Sequence, residues 1–185
     1  MKHLVLQLTL LGGTCGLLTS LVYESSAETI RLNQLAYRHQ QLTQVAGLPA
    51  SDLTETRDSI FVISHNQETL GIIFPVTTDQ GYNGTINLWL AVNLHGEILG
   101  VRVYGHGETP GLGDKIDLRV SDWILGFNGK SLTDPDISHW AVKRDDGAFD
   151  QFSGATITPR AVVSAVRDGL ELFDRQQQQW LGTTP

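Results

Sequence analysis

Residues 85–104 read Thr85-Ile86-Asn87-Leu88-Trp89-Leu90-Ala91-Val92-Asn93-Leu94-His95-Gly96-Glu97-Ile98-Leu99-Gly100-Val101-Arg102-Val103-Tyr104. Two runs rich in Ile, Val, Leu and aromatic residues flank Leu94-His95-Gly96, a connection short enough for a hairpin, so they pair antiparallel. Upstream, the runs 60–64 and 69–76 have the same composition and are joined through Asn66-Gln67-Glu68. Downstream the period changes. Ile116, Val120, Trp123, Ile124 and Phe127 mark one face of a helix, and Trp140-Ala141-Val142-Lys143 reads as a further strand turning at Asp145-Asp146-Gly147. Thr158-Pro159 reads as a helix start, a hydroxyl N-cap followed by proline. Val162, Ala165, Val166, Leu170 and Phe173 form the buried stripe of that helix; Gln176 to Gln179 and the residues after Trp180 read as a frayed polar tail. These elements give an α+β fold class, a twisted antiparallel sheet with packed helices.

Before the strands lies an apolar run, 4–22, preceded by Lys2 and followed by Glu24 and Glu28. As a helix it would extend roughly 28 Å, close to the hydrocarbon thickness of a bilayer, and the charge asymmetry puts the N-terminus in the cytoplasm. Gln7, Thr9, Thr14, Thr19 and Ser20 dilute it. A cleaved signal with Ser25-Ser26-Ala27 as its cleavage site reads the same residues; the length favours a retained transmembrane anchor, and both readings export the remainder of the chain. Gly12 and Gly16 have the spacing of close helix packing or of chance. Leu32, Leu35, Ala36, Leu42, Val45 and Ala46 then recur at helical spacing up to Gly47 and Pro49, and 51–58 reads as a loop. The expected organisation is residues 1–24 as cytoplasmic N-terminus and anchor, 25–58 as membrane-proximal helix and linker, and 59–185 as the exported domain.

Composition narrows the function. Thirteen basic against twenty acidic residues, a net charge of −7 with no basic cluster, argue against a nucleic-acid partner. The single Cys15 excludes an internal disulfide framework and Cys-rich zinc or iron–sulfur sites. His65, His95, His106 and His139 have no ligand spacing. No dinucleotide fingerprint is present, so direct NADH binding is not expected.

The chemistry concentrates in Asp150-Gln151-Phe152-Ser153-Gly154-Ala155-Thr156-Ile157-Thr158-Pro159. Small residues and hydroxyls directly ahead of a helix N-terminus let a bulky group approach, and free N–H groups with the helix dipole favour a phosphate. The same residues also describe an ordinary capped turn. Glu108-Thr109-Pro110-Gly111-Leu112-Gly113 is either a rigid turn offering N–H groups and a hydroxyl to a ligand or a plain glycine-rich connection. Lys115 and Lys143 read as surface lysines, with a phosphate as their alternative partner.

Ser153-Gly154-Ala155-Thr156 after Asp150 resembles the flavinylation motif of the FMN-binding domain family, which includes the G subunit of the Rnf electron-transport complex and the C subunit of the sodium-translocating NADH:quinone reductase. The stretches 105–116, 140–144, 149–152 and 79–84 resemble the same proteins, and the absence of an extra block favours the Rnf side. The resemblance implies FMN esterified through its phosphate to Thr156 by a flavin transferase. Ser153, Gly154 and Ala155 would make the close approach, Asp150 would belong to the transferase signal, and Glu108, Thr109, Gly111 and Leu112 would be cofactor-binding. It further implies an inner-membrane electron carrier with its flavin domain in the periplasm. That carrier would work among other membrane and cytoplasmic subunits of a redox-driven ion translocase and would not be catalytic alone. The alternatives are the reductase C subunit, a flavin-bearing membrane sensor, or a non-redox exported module for a phosphate-bearing ligand.

Overall fold

A computed structural model describes residues 2–47, 49, 52–56 and 59–182. The chain divides into two compact units, 1–40 and 41–185. Helix α1, Lys2–Ala46, is unbroken, so the two helices predicted over 4–22 and 27–46 are one element. No residue between them breaks helices, which is why the pattern runs through. Gly47, at φ +66°, ends it in the left-handed conformation that glycine accepts without penalty. The stripe residues Leu32, Leu35 and Ala36 lie outside the described side chains.

Among the described residues no helix is long and apolar enough to cross a membrane. This stands against the span expected over 4–22. The hydroxyls that dilute the run turn back on their own helix: Thr9 Oγ1 donates to the Val5 carbonyl at 2.9 Å, Thr14 to Leu11 at 2.9 Å, and Thr19 to Cys15 at 2.6 Å. Such back-bonding satisfies the hydroxyl locally and leaves little for a neighbouring helix.

The second unit is built on a five-stranded antiparallel sheet in sequence order: β1 Leu53–Glu55, β2 Phe61–His65, β3 Glu68–Gly81, β4 Gly84–Asn93 and β5 Ile98–Gly105. Strands β2 to β5 fall on the four predicted runs. β1 lies in a stretch expected to be a loop; Leu53, Thr54 and Glu55 pair with Ile63, Val62 and Phe61, and Leu53 packs against the cluster that holds Ile63 and Trp89. Asn66 and Gln67, both at positive φ, make the tight β2–β3 turn.

Alternation along the strands feeds two cores. Ile72, Phe74, Leu88, Leu90 and Val92 belong to one, with Val162, Val166, Leu170 and Phe173 of helix α2, Ile157–Leu181. Ile73, Trp89 and Ala91 belong to the other, with Phe61, Ile63 and, from the last turns of α1, Leu42 and Val45. Covered faces on both sides explain why β3 and β4 read as nearly continuous apolar runs. Two glycines permit the close approaches. A Cβ at Gly169 would sit 2.8 Å from Leu90, and one at Gly100 would sit 2.6 Å from the Val45 carbonyl.

Between β5 and α2 the chain forms no regular element. The helix predicted through Ile116 to Phe127 is two short 3₁₀ turns, Asp114–Ile116 and Asp122–Phe127, and the strand predicted at 140–143 is a single bridge between Val142 and Phe149. Side chains cap two of the short turns in this stretch: the Ser121 hydroxyl accepts from the Trp123 N–H at the start of Asp122–Phe127, and Asp136 accepts from the Ser138 N–H at the start of a further 3₁₀ turn, Ile137–His139. Apolar spacing carried the prediction, but local capping by Ser and Asp competes with a helix interior. The end of α2 differs as well. The expected frayed tail is helical to Leu181, held by Trp180 packing 4.9 Å from Phe74.

Candidate functional site

Thr156 is the N-cap of α2, and the first helical residue is Ile157. Its carbonyl accepts the Arg160 N–H at 3.3 Å, but its hydroxyl makes no capping bond. Thr158, the predicted cap, is instead fully buried, and its hydroxyl donates to a carboxylate oxygen of Glu108. Pro159 is therefore the third helical residue rather than the first, a position whose missing N–H is equally harmless. Of the two hydroxyls beside the helix start, the one at Thr156 is half-buried and has no hydrogen-bond partner among the described residues; the one at Thr158 is buried and bonded.

Ahead of Thr156 the chain makes a tight turn, with the Ala155 N–H donating to the Phe152 carbonyl at 3.2 Å. Gly154 sits at φ +82°, a conformation that any side chain would strain. Phe152 is buried and anchors the turn against Trp123, ring centroids 5.0 Å apart. The Trp123 indole N–H donates to the Asp150 carbonyl at 2.8 Å, and the Asp150 carboxylate pairs with Lys143 at 2.6 Å.

Facing this turn is the 105–113 loop, organised by the buried Glu108. One carboxylate oxygen accepts the Asn83 N–H at 3.0 Å from the β3–β4 turn, and the other accepts from Thr158. Added Cβ atoms at Gly81 and Gly113 would lie 2.8 and 2.7 Å from those oxygens, so both glycines make room for the carboxylate. The Thr109 carbonyl accepts from the N–H groups of Leu112 and Gly113, each at 3.1 Å, and the Thr109 hydroxyl accepts from the Asn83 side-chain amide at 3.3 Å. Of the N–H groups expected to face a ligand, those of Leu112 and Gly113 are thus used within the loop.

Loop and turn enclose a cleft of about 330 Å³ lined by Tyr82, Glu108, Thr109, Leu112, Gly113 and residues 154–158. Of the predicted residues it gathers Thr156, Gly154, Ala155, Glu108, Thr109 and Leu112. Gly111 shapes the loop at φ +78° without lining the cleft; Ser153 and Asp150 are exposed outside it. Lys115 lies 5.9 Å over the Phe152 ring, and neither it nor Lys143 is among the lining residues. Tyr82 and Ile157 were missed. Tyr82 is an exposed aromatic in a hairpin turn, a signal the sequence carried, whereas Ile157 stood in the stretch ahead of the expected helix start and was given no role.

A long helix starts at the cleft wall, where its first N–H groups and dipole favour an anion. Leu112, Tyr82 and Ile157 supply apolar surface around it. The volume falls within the roughly 300–1,000 Å³ of small-molecule sites. A phosphate at Thr156 with a flat apolar group in the cleft fits these residues.

Residues 81–171 match the FMN-binding domain family. The chain is 50% identical over 135 residues to the G subunit of the ion-translocating oxidoreductase complex of Cereibacter sphaeroides, an alignment that covers 73% of this chain and 61% of that protein. It is 41% identical over 177 residues to the protein of the same description from Vibrio cholerae, covering 88% of this chain and 85% of that one. Among solved structures it is similar to Shewanella oneidensis NqrC, with 26% identity, a TM-score of 0.52, and coverage of 76% of this chain and 73% of that chain. It also shares the fold of the C subunit of the Na(+)-translocating NADH-quinone reductase from Parabacteroides distasonis, with a TM-score of 0.58, 16% identity, and coverage of 80% of this chain and 94% of that chain.

Proposed function

This chain belongs to the family of G subunits of the ion-translocating oxidoreductase complex, and on that premise we propose that it is an electron carrier with FMN held as a phosphoester on the Thr156 hydroxyl. The observation that carries the linkage is the contrast at the helix start: the Thr156 hydroxyl is free at the cleft wall, while Thr158 is buried and bonded to Glu108. Bound FMN supplies one- and two-electron redox chemistry. The α2 N-terminus receives the phosphate charge, Gly154 and Ala155 allow the approach, and Leu112, Tyr82 and Ile157 exclude water from the apolar part of the group. Glu108 and Thr109 hold the loop that closes the cleft.

The partners are other subunits of a redox-driven ion translocase, with a flavin transferase acting during maturation and no direct contact with NADH. The domain works on the periplasmic side of an inner membrane, the side to which export directed by the N-terminal apolar run behind Lys2 would deliver it. Exposed Leu8, Leu10, Leu11, Leu17 and Leu18 support attachment there, since an unpartnered apolar surface favours lipid or another protein.

The test is in-gel flavin fluorescence after denaturing electrophoresis of protein expressed with the transferase. Wild type gives a fluorescent band. Thr156→Val, which swaps a hydroxyl for a methyl, gives none while its far-ultraviolet circular dichroism is unchanged. Fluorescence persisting in the variant refutes Thr156 as the acceptor.

A further inference from the structure

Arg102 lies on β5, opposite Trp89 of β4, and is buried to 9% exposure. A guanidinium has five N–H donors. Nη1 donates to the Val101 carbonyl at 2.7 Å and Nη2 to the Gln44 carbonyl at 3.2 Å. Nε has no partner among the described residues. Burial lowers the Arg102 pKa by desolvation, and no carboxylate among the described residues acts against it. The acid that shares its cavity is already committed: Asp117 accepts from the Arg119 N–H at 2.9 Å and from the Arg119 guanidinium at 3.0 and 3.1 Å. Arg102, Asp117 and Arg119 line one cavity of about 240 Å³, with Gln41, Gln44, Val103 and Leu118. Two cations against one anion leave that cavity a net positive charge.

A buried cation with two neutral acceptors and no counter-charge is costly, and natural proteins pair such groups. Binding to the Gln44 carbonyl near the end of α1 is in part a helix-terminal interaction, favourable for a cation. That role engages one donor and leaves the charge and Nε unmet. We propose that this cavity is a carboxylate-binding site anchored by Arg102. The unbonded Nε–H and a neighbouring Nη–H form the planar edge that takes a carboxylate side-on. The volume, below that of ordinary cofactor sites, fits a small free carboxylate or a single acidic side chain of a partner protein.

The experiment uses the full chain with ¹⁵N-labelled arginine, titrated with sodium acetate against chloride at constant ionic strength. The expected result is a saturable shift of the Arg102 Nε–H resonance and a rise in Tm. Arg102→Lys, which keeps the charge but loses the fork, weakens acetate binding by at least roughly tenfold. Arg102→Gln abolishes it. Should the glutamine variant fail to fold, wild type and the lysine variant decide. Co-purification of the lysine variant with its complex distinguishes the sources: reduced yield means the carboxylate is a partner's, and unchanged yield, given the saturable wild-type acetate response, means it is free. A wild-type resonance that does not shift saturably with acetate overturns the proposal and leaves Arg102 a cap of α1.

Discussion

The sheet with α2 and the stretch between β5 and α2 reach the same burial by different means. In the first, period-2 strands and a period-3.6 helix lay apolar rows against each other. In the second, four short 3₁₀ turns and isolated bridges hold Ile116, Ile124, Phe127, Trp140 and Val142 as deep as any strand residue. In place of a regular ladder, scattered main-chain bonds such as Lys143 N–H to the Phe149 carbonyl at 2.7 Å hold this stretch, and side chains add to them: the Trp140 indole donates to the Ser131 carbonyl at 3.0 Å and the Trp123 indole to the Asp150 carbonyl at 2.8 Å. Stacked and edge-on rings replace the aliphatic rows, Phe127 lying 4.7 Å from Phe149 and 5.4 Å from Trp123. An irregular chain is therefore not a loose one. The cleft lies at the seam: the 105–113 loop and the 154–156 turn of the irregular region line it, joined by Tyr82 of the β3–β4 turn and by Ile157 and Thr158 of α2.

The sharpest way to break this equivalence is a matched truncation. Phe127→Ala in the irregular region and Phe74→Ala in the sheet are both expected to cost about 4 kcal/mol, measured by urea unfolding, because both rings are fully buried. A cost under about 1 kcal/mol for Phe127→Ala would show the irregular region to be loosely held. Next comes Gly147→Ala, whose Cβ would lie 1.9 Å from the Ala141 carbonyl oxygen; the overpacking is expected to cost about 3 kcal/mol. At the seam, Glu108→Ala leaves the Asn83 N–H and the Thr158 hydroxyl without an acceptor and is expected to cost about 2 kcal/mol, with Glu108→Gln milder.

The smallest effect is a pH dependence. Arg160 of α2 pairs with Asp145 at 2.5 Å, and this hydrogen-bonded ion pair holds the Asp145 carboxyl below its ordinary value and raises Arg160. A depressed folded pKa means stabilisation that is present above the ordinary carboxylate range and lost as pH falls through the lowered value. Wild type should exceed Asp145→Asn slightly in Tm at neutral pH, and the difference should shrink on acidification. A difference that grows with acid would contradict the pairing.

The strands and the body of α2 were legible because burial on a strand or helix imposes a period on the sequence. The start of α2 was misread by two residues: Thr158-Pro159 has the local form of a cap, and only Glu108, fifty positions away, withdraws the Thr158 hydroxyl from that role. The same long-range bond was invisible in a loop read for its glycines. The irregular region defeated the reading for a related reason. Ile116, Ile124 and Phe127 are apolar at helical intervals because they are buried, not because they are helical. Of the cleft lining, Thr156 and its turn were singled out through a motif, while Tyr82 joins them only once the β3–β4 turn folds beside the 105–113 loop.

The central claim is that Thr156, and not its neighbours, carries the flavin. Tryptic cleavage after Arg144 and Arg160 releases one peptide, 145–160, that contains Ser153, Thr156 and Thr158. Fragmentation mass spectrometry of that peptide, from protein matured with the transferase, is predicted to locate one FMN less one water on Thr156. The same mass on Ser153 or Thr158, or an unmodified peptide from coloured protein, would contradict it.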